Sequence, residues 1–239
     1  MADRLRIFAP DLPSSSEPGG VGRDAEIVKQ VLKACGHDAE FVIQPFGRHI
    51  ITYRQSSEGD AVMTVPLAAE LPGASTAAYI WYQNGAVYDA DRISEISGLP
   101  DLWGLDVVTF KDGIRLLDLG EFESKFGSLV EIANQRIHSH LLFLGRVDVI
   151  LADGLIVAEV NRRVRKSESL MGAVTKEHRF RFAPIFTPAP YKMVFREPAL
   201  AKSFDECFDM AYANDTIYEI NQKYIGSFQN ELGYRYLGF

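Results

Sequence analysis

The stretch FLGRVDVILADGLIVAEV, residues 143 to 160, combines the end of a helix, a short apolar strand and the start of another helix. Glycine at Gly145 is typical of a helix C-terminus. The run VDVILA at 147–152 has the composition of a buried strand, and Asp153 ends it. Because ligands of open α/β sheets bind at the carboxyl ends of strands, Asp153 is a candidate ligand-binding residue. An Asp before Gly also commonly caps the next helix or turn, and this alternative stays open.

Strands and helices alternate on both sides of this stretch. Before it, the patterns predict strands at 4–10, 40–45, 60–66 and 105–110, helices at 23–36 and 47–59, a loop at 11–22, and helical chain at 114–126. The run at 78–88 is predicted to be extended around an Asn84–Gly85 turn. After it come helical chain at 155–178, a returning strand in APIFTPAPYKMVF, and a helix pair at 199–224.

Two such series of similar size predict an α/β protein with two lobes. Each lobe is expected to contain a mainly parallel sheet flanked by helices, because strands that alternate with helices form right-handed crossovers. Extended segments, rather than a Gly-Ser linker, would form the hinge. The predicted boundaries are 1–84 with 186–239 for lobe 1, and 85–185 for lobe 2.

Composition excludes several classes of protein. The chain has 239 residues, 47% of them hydrophobic, and a formal net charge of -7, which disfavours a nucleic-acid-binding surface. The basic run RRVRK at 162–166 is interpreted as a solvated helix end or loop. No apolar run approaches the roughly 18 residues of a membrane span, so we expect a soluble protein.

Cysteine and histidine spacing argues against a metal site. Cys35 and Cys207 lack CxxC spacing and are either a long-range disulfide or two buried thiols. His138 and His140 are two positions apart, which places them on different faces of a helix. We therefore expect no metal and no cofactor.

Five segments resemble the type II periplasmic solute-binding proteins, in particular the amino-acid-binding-like branch, and they occur in the order found in that family. They are GRDAEIVKQVLKACGHDAEFV at 22–42, QPFGRHIITYRQSSEGDAVMTVP at 44–66, ISGLPDLWGLDVVTFKDG at 96–113, GRVDVILADG at 145–154 and PIFTPAPYKMVF at 184–195. The resemblance implies two α/β lobes that close on a ligand in the cleft between them.

The resemblance also implies roles for individual residues. Asp153 matches a carboxylate that meets the ammonium group of an amino acid, and Thr64 matches a hydroxyl position that holds a carboxylate. An amino-acid binder has an Arg a few residues after this Thr, and 67–82 contains none. A hydroxyl cannot replace the two parallel hydrogen bonds of a guanidinium. Either another Arg does this or the ligand is not a free α-amino acid.

Several further residues are candidates for the ligand site. Arg48 matches the Arg of an aromatic-x-Arg pattern, and Arg115 follows a segment in which the family has a glycine-led helix N-terminus that donates N–H groups to an anion. Each is otherwise an ion-paired or surface arginine. The complete predicted set is Asp11, Arg48, Thr64, Tyr79, Trp81, Lys111, Gly113, Arg115 and Asp153.

The resemblance implies a monomeric, periplasmic protein that captures a small polar ligand, anionic or zwitterionic, for an ABC-transporter permease. A signal peptide would have been removed ahead of the ADRLRIFAP segment. Two alternatives remain: a lyase or dehydratase acting on a small carboxylate, and a sensor module that docks on a membrane receptor. An enzyme would need an acid or base, for which Asp11, His49 and Asp153 are the candidates. We expect binding rather than catalysis, because no nucleophile or phosphate-loop motif occurs.

Overall fold

The computed structural model describes residues 3–166, 178–233 and 236–238. The chain divides into two compact units. The first unit comprises Met1–Tyr82 and Ala189–Ser227, and the second comprises Gln83–Pro188 and Phe228–Phe239. The sequence-based division placed 228–239 with lobe 1, whereas the structure groups this segment with the second unit, where Tyr236 donates a hydrogen bond to Asp153.

The first unit contains a five-stranded sheet in the order β2-β1-β3-β10-β4. Its strands are β1 (Asp3–Pro10), β2 (His37–Gln44), β3 (Ala61–Pro66), β4 (Ala74–Tyr82) and β10 (Ala189–Phe195). Its helices are α1 (Arg23–Ala34), α2 (Arg48–Gln55), α6 (Pro198–Ala213) and α7 (Thr216–Ile225). Strand β1 is parallel to β2 and β3, and β10 is antiparallel to β3 and β4.

The second unit contains a five-stranded sheet in the order β7-β6-β8-β5-β9. Its strands are β5 (Asn84–Asp89), β6 (Asp106–Thr109), β7 (Ser128–Glu131), β8 (Val149–Asp153) and β9 (Phe180–Ala183). Its described α-helices are α3 (Gly113–Leu116), α4 (Gln135–Phe143), α5 (Gly154–Lys166) and α8 (Gln229–Leu232). Strand β6 is parallel to β7 and β8, and β5 is antiparallel to β8 and β9.

The prediction of an α/β protein with two lobes is confirmed, and each sheet is mixed, because one antiparallel strand follows three parallel strands. The predicted Asn84–Gly85 turn is wrong. Both residues lie inside β5, and Asn84 pairs with Asp153. A side chain at Gly85 would meet the carbonyl oxygen of Ala183 at 2.3 Å, so this glycine permits close strand packing instead of a turn. The predicted helix at 155–178 is described only to Lys166, and 167–177 lie outside the described residues.

Apolar side chains at helical and strand spacing form the cores. In α1, Ile27, Val28, Val31 and Leu32 are buried, as the helical period predicts. One face of the first sheet carries a cluster that combines strand and α2 residues: Phe8, Tyr53, Val62, Val65 and Val194, with Ala69 and Leu71 packed against it. Among the described residues, no helix is long and apolar enough to cross a membrane.

Cys35 and Cys207 form a disulfide that joins the end of α1 to α6 in the first unit, with Cα atoms 5.9 Å apart. The bond closes a loop of 172 residues. Such bonds persist in oxidising compartments and are rare where glutathione keeps thiols reduced. The structure therefore selects the disulfide over two free thiols.

We expect Cys207→Ser to lower the free energy of unfolding by about 2–5 kcal/mol, because the open loop raises the entropy of the unfolded chain. Urea unfolding of the wild type with and without dithiothreitol measures the same loss. Cys35→Ser is the matched control and should cost as much, with no additional effect in the double variant. Unchanged stability on reduction would contradict a stabilising disulfide.

Candidate functional site

Strand β3 contains an irregular residue at its carboxyl end. Thr64 is fully buried and has φ 56°, a left-handed conformation that is rare for a β-branched residue. Opposite it, Lys192 pairs with Val65 and Val194 pairs with Val62, so β3 has one residue more than β10 over this interval. This is a β-bulge, a feature common next to functional sites.

The Thr64 hydroxyl lies 3.3 Å from the hydroxyl of Tyr79 on β4. Tyr79 is buried and packs edge-on against Phe204 of α6, with ring centroids 6.0 Å apart. Burial raises the pKa of Tyr79, and the nearby Asp24 adds to the shift, so this phenol remains neutral. By contrast, Trp81 is 42% exposed. Of the two predicted aromatic residues, Tyr79 packs in the interior and Trp81 has surface to offer a ligand.

A buried ion pair at the start of α1 was missed by the sequence analysis. Arg23 and Asp24 are almost completely buried and paired at 3.1 Å, and the Tyr82 hydroxyl donates to Asp24. The Arg23 guanidinium also donates to the Trp81 carbonyl at 3.2 Å and lies 5.5 Å from the Tyr82 ring centre. Burial, followed by the Asp24 charge, raises the pKa of Tyr82 well above its usual value. Arg-Asp in a first helical turn normally indicates solvated residues, which is why the sequence did not reveal this pair.

The loop between β1 and α1 folds back on the helix. The N–H groups of Arg23, Asp24 and Ala25 donate to the carbonyl oxygens of Ser14 and Ser15 at 2.7–3.1 Å. These amides are therefore engaged within the protein. Asp11 is half-buried directly after β1, and its N–H donates to the Gln44 carbonyl at 2.6 Å.

Arg48 and His49 begin α2 and differ in environment. Arg48 is exposed, whereas His49 is fully buried. Burial lowers the pKa of His49 to about 4, and the backbone of Thr64, Pro45 and Met63 opposes the shift. Neither ring nitrogen of His49 has a hydrogen bond of good geometry, so these backbone contacts are weak. A buried, neutral imidazole is poorly placed for acid–base chemistry.

In the second unit, Asp153 at the end of β8 is buried and accepts three hydrogen bonds. One carboxylate oxygen accepts from the Ile156 N–H of α5 at 3.1 Å. The other accepts from the Gln83 N–H at 2.9 Å and the Tyr236 hydroxyl at 2.7 Å. The Tyr236 oxygen also accepts from the Leu155 N–H at 3.2 Å. Asp153 therefore caps α5 and links it to the C-terminal segment.

The glycine-led turn of α3 is also engaged within the chain. The N–H groups of Asp112 and Ile114 donate to the two carboxylate oxygens of Glu131 at 3.0 and 2.9 Å. Gly113 is needed here because a side chain would meet the Thr109 hydroxyl at 2.3 Å. Lys111 and Arg115 are exposed, and Lys111 pairs with Asp112 at 3.9 Å. An anion at this turn would have to displace Glu131.

A groove of about 680 Å³ lies in the second unit beside β9, lined by Tyr88, Glu95, Arg179, Arg181, Asn230 and other residues. No predicted site residue lines it. Among the residues with described positions, no group of three or more His, Cys, Asp or Glu side chains is arranged to hold a metal ion.

No protein-family model matches the sequence, and no curated protein matches it. Solved structures do match the whole fold. A histidine kinase sensor domain similar to periplasmic binding proteins matches with TM-score 0.74 and 17% identity, over 94% of this chain and 97% of its own.

A putative L-cystine ABC transporter protein from Listeria monocytogenes matches with TM-score 0.69 and 18% identity, over 95% of this chain and 97% of its own. An ancestral amino-acid-binding protein, a precursor of cyclohexadienyl dehydratase, matches with TM-score 0.70 and 17% identity, over 92% and 94% of the two chains. The chain has the type II periplasmic binding protein fold. At these identities the likeness establishes the fold alone, and the predicted ligand contacts stay predictions.

We expect Tyr236→Phe to lower the free energy of unfolding by about 1–3 kcal/mol, because it leaves the buried Asp153 carboxylate and the Leu155 N–H each without one partner. Urea unfolding monitored by circular dichroism measures the loss. Tyr218→Phe is the control, since the Tyr218 side chain is exposed and its hydroxyl accepts a hydrogen bond from Gln222 at the surface. Equal stability of both variants would contradict this role for Tyr236.

The buried imidazole of His49 predicts that the free energy of unfolding falls as the pH decreases from 6.5 to about 4. These two values are the ordinary pKa of His and the lowered pKa of His49 in the folded protein. In this range the unfolded chain binds a proton at His49 and the folded chain does not. The full shift corresponds to about 3 kcal/mol. His49→Gln removes the contribution of His49 to this pH dependence. The contribution of His138, whose pKa burial also lowers to about 4, remains in the variant. Urea unfolding at about pH 7 and pH 4.5 should therefore differ less in the variant, and an equal difference would refute the idea.

Proposed function

We propose that this chain is a periplasmic solute-binding protein that captures a small, polar, anionic or zwitterionic molecule and delivers it to an ABC transporter. The fold, matched over more than nine-tenths of the chain, carries the proposal. The Cys35–Cys207 disulfide supports an oxidising compartment outside the cytoplasm. A monomer that docks on a permease completes the proposal.

The ligand we propose is not a free α-amino acid. The segment 67–82 lacks an Arg, and the Asp153 carboxylate already accepts three hydrogen bonds from the protein. An ammonium group would therefore compete with the cap of α5. Each unit has exposed predicted residues that could contact a ligand. These are Arg48 and Trp81 in the first unit, and Lys111 and Arg115 in the second.

Catalysis is the weaker candidate. Of the acid–base candidates, His49 is buried with its pKa lowered to about 4, and Asp153 is engaged as a helix cap. Neither has the access to a reacting atom that a general acid or base needs. A sensor role would use the same ligand-binding residues, and it is favoured only by the likeness to the histidine kinase sensor domain.

A thermal-shift screen of the purified protein tests the proposal. Amino acids, dicarboxylates, aromatic acids, polyamines and sugars are the probes, and a ligand at a hundred times its dissociation constant stabilises the folded protein by about 2.7 kcal/mol. We expect a shift with one class of acid, and no turnover of that compound by NMR. Product formation would instead support the lyase, and no shift with any class would contradict solute binding.

For the ligand that the screen identifies, Arg48→Ala should raise the dissociation constant in calorimetry, because it removes an exposed cation that would contact an acidic ligand. Arg54→Ala, at the other end of α2 and exposed, is the matched control for Arg48 and should bind as the wild type does. Unchanged affinity of the Arg48→Ala variant would refute the assignment of Arg48.

A further inference from the structure

Strand β10 is regular, although both neighbouring strands are bulged. Between Lys192 and Val194 it advances two residues, while β3 advances from Val65 to Val62 and β4 from Ala78 to Ser75. The extra residues therefore belong to the neighbours. In a regular strand, residues two positions apart share a face. The Lys192 side chain is thus on the same face of the sheet as Val194.

That face is the apolar one. Val194 and Val65 belong to the cluster with Phe8, Tyr53 and Val62, and Ala69 and Leu71 pack against this cluster. Lys192 is paired directly with Val65, and directly opposed residues in an antiparallel pair have side chains on one face. A lysine therefore interrupts the apolar face at its β3–β10 boundary.

Lys192 is 8% exposed, and in the described part of the chain no carboxylate forms an ion pair with it. Its ammonium nitrogen is not among the fully buried side-chain atoms that lack a hydrogen bond, so the charge keeps some exposure at the edge of a buried stem. A mostly buried lysine without a carboxylate partner is still costly. The sheet would be more stable with an apolar residue here. A residue that costs stability without a structural partner is typical of functional positions.

Lys192 is placed to supply the positive charge that an Arg in segment 67–82 would have supplied. The segment 67–82 lacks the expected Arg, and its residues Ala69 and Leu71 pack on the same face of the sheet as Lys192. Lys192 pairs with Val65, next to Thr64 and its bulge at the end of β3. A cation is therefore present at this end of the first sheet, supplied by a different strand.

We propose that Lys192 supplies the positive charge that receives an oxyanion of the bound solute, a carboxylate or a phosphate. The inference rests on the proposed solute-binding function and deepens it, because it names the recognition group and the ligand class. A lysine ammonium acts as a compact point charge and does not form the paired bonds of a guanidinium. This favours a simple organic acid or phosphate over an amino acid.

Calorimetry with succinate, benzoate, inorganic phosphate and putrescine tests this role in the wild type, Lys192→Met, Lys192→Arg and Lys202→Met. We expect the wild type to bind an oxyanion and not putrescine, and Lys192→Met to weaken that binding about ten- to hundred-fold. Lys192→Arg retains the positive charge, so its affinity for the oxyanion should decrease less than that of Lys192→Met. Lys202, an exposed lysine of α6, is the matched control and should have no effect.

Stability without ligand gives a second readout. Because Lys192→Met removes the charge of a mostly buried lysine, its melting temperature should equal or exceed that of the wild type, and a clear decrease would indicate a structural lysine and overturn the proposal. Unchanged affinity of Lys192→Met for an oxyanion that the wild type binds would refute the role of Lys192 and leave solute binding intact. Binding of putrescine alone would overturn the ligand class. No binding of any probe would overturn both proposals.

Discussion

The second unit depends on the carboxylate of Asp153. Its two oxygens accept from the first turn of α5, from Gln83 at the start of the unit, and from Tyr236 near the C-terminus, so segments distant in sequence meet at one buried residue. A buried carboxylate is tolerable only with such partners. The residue that the sequence pattern offers first for ligand recognition is therefore also the one that holds its unit together, which limits how freely it can serve a ligand.

A comparable constraint acts in the first unit where β3 and β4 pair with β10. Opposite a regular β10, β3 has one extra residue and β4 has two, and Thr64 in β3 takes a left-handed conformation at its bulge. The amides at the start of α1 are engaged by the preceding loop. These amides are thus satisfied within the protein. Among the cations of this unit, Arg48 and Lys192 are the two on which we base the proposal of a simpler acidic ligand.

Much of the fold was predictable because apolar periodicity, and the glycine and proline residues that end helices and strands, are local signals. The helix face of α1, the strand at Val149–Asp153 and the order of five family-like segments are such signals, and they predicted two α/β lobes correctly. Asn84–Gly85 misled because the same dipeptide that forms turns also allows close strand packing. The Arg23–Asp24 pair, the bulge at Thr64, the Glu131 cap on α3 and the buried Lys192 were not predictable, since each depends on contacts between segments distant in sequence.

The central claim is that the folded chain holds a small acidic solute. Native mass spectrometry of the protein, purified from the periplasm of an expression host without added ligand, tests it most directly. The account predicts a folded species heavier than the sequence mass by one small molecule, which dissociates on unfolding and is identified as an organic acid or phosphate compound. A folded species at the disulfide-bonded sequence mass alone, unchanged after incubation with succinate, benzoate and phosphate, would contradict it.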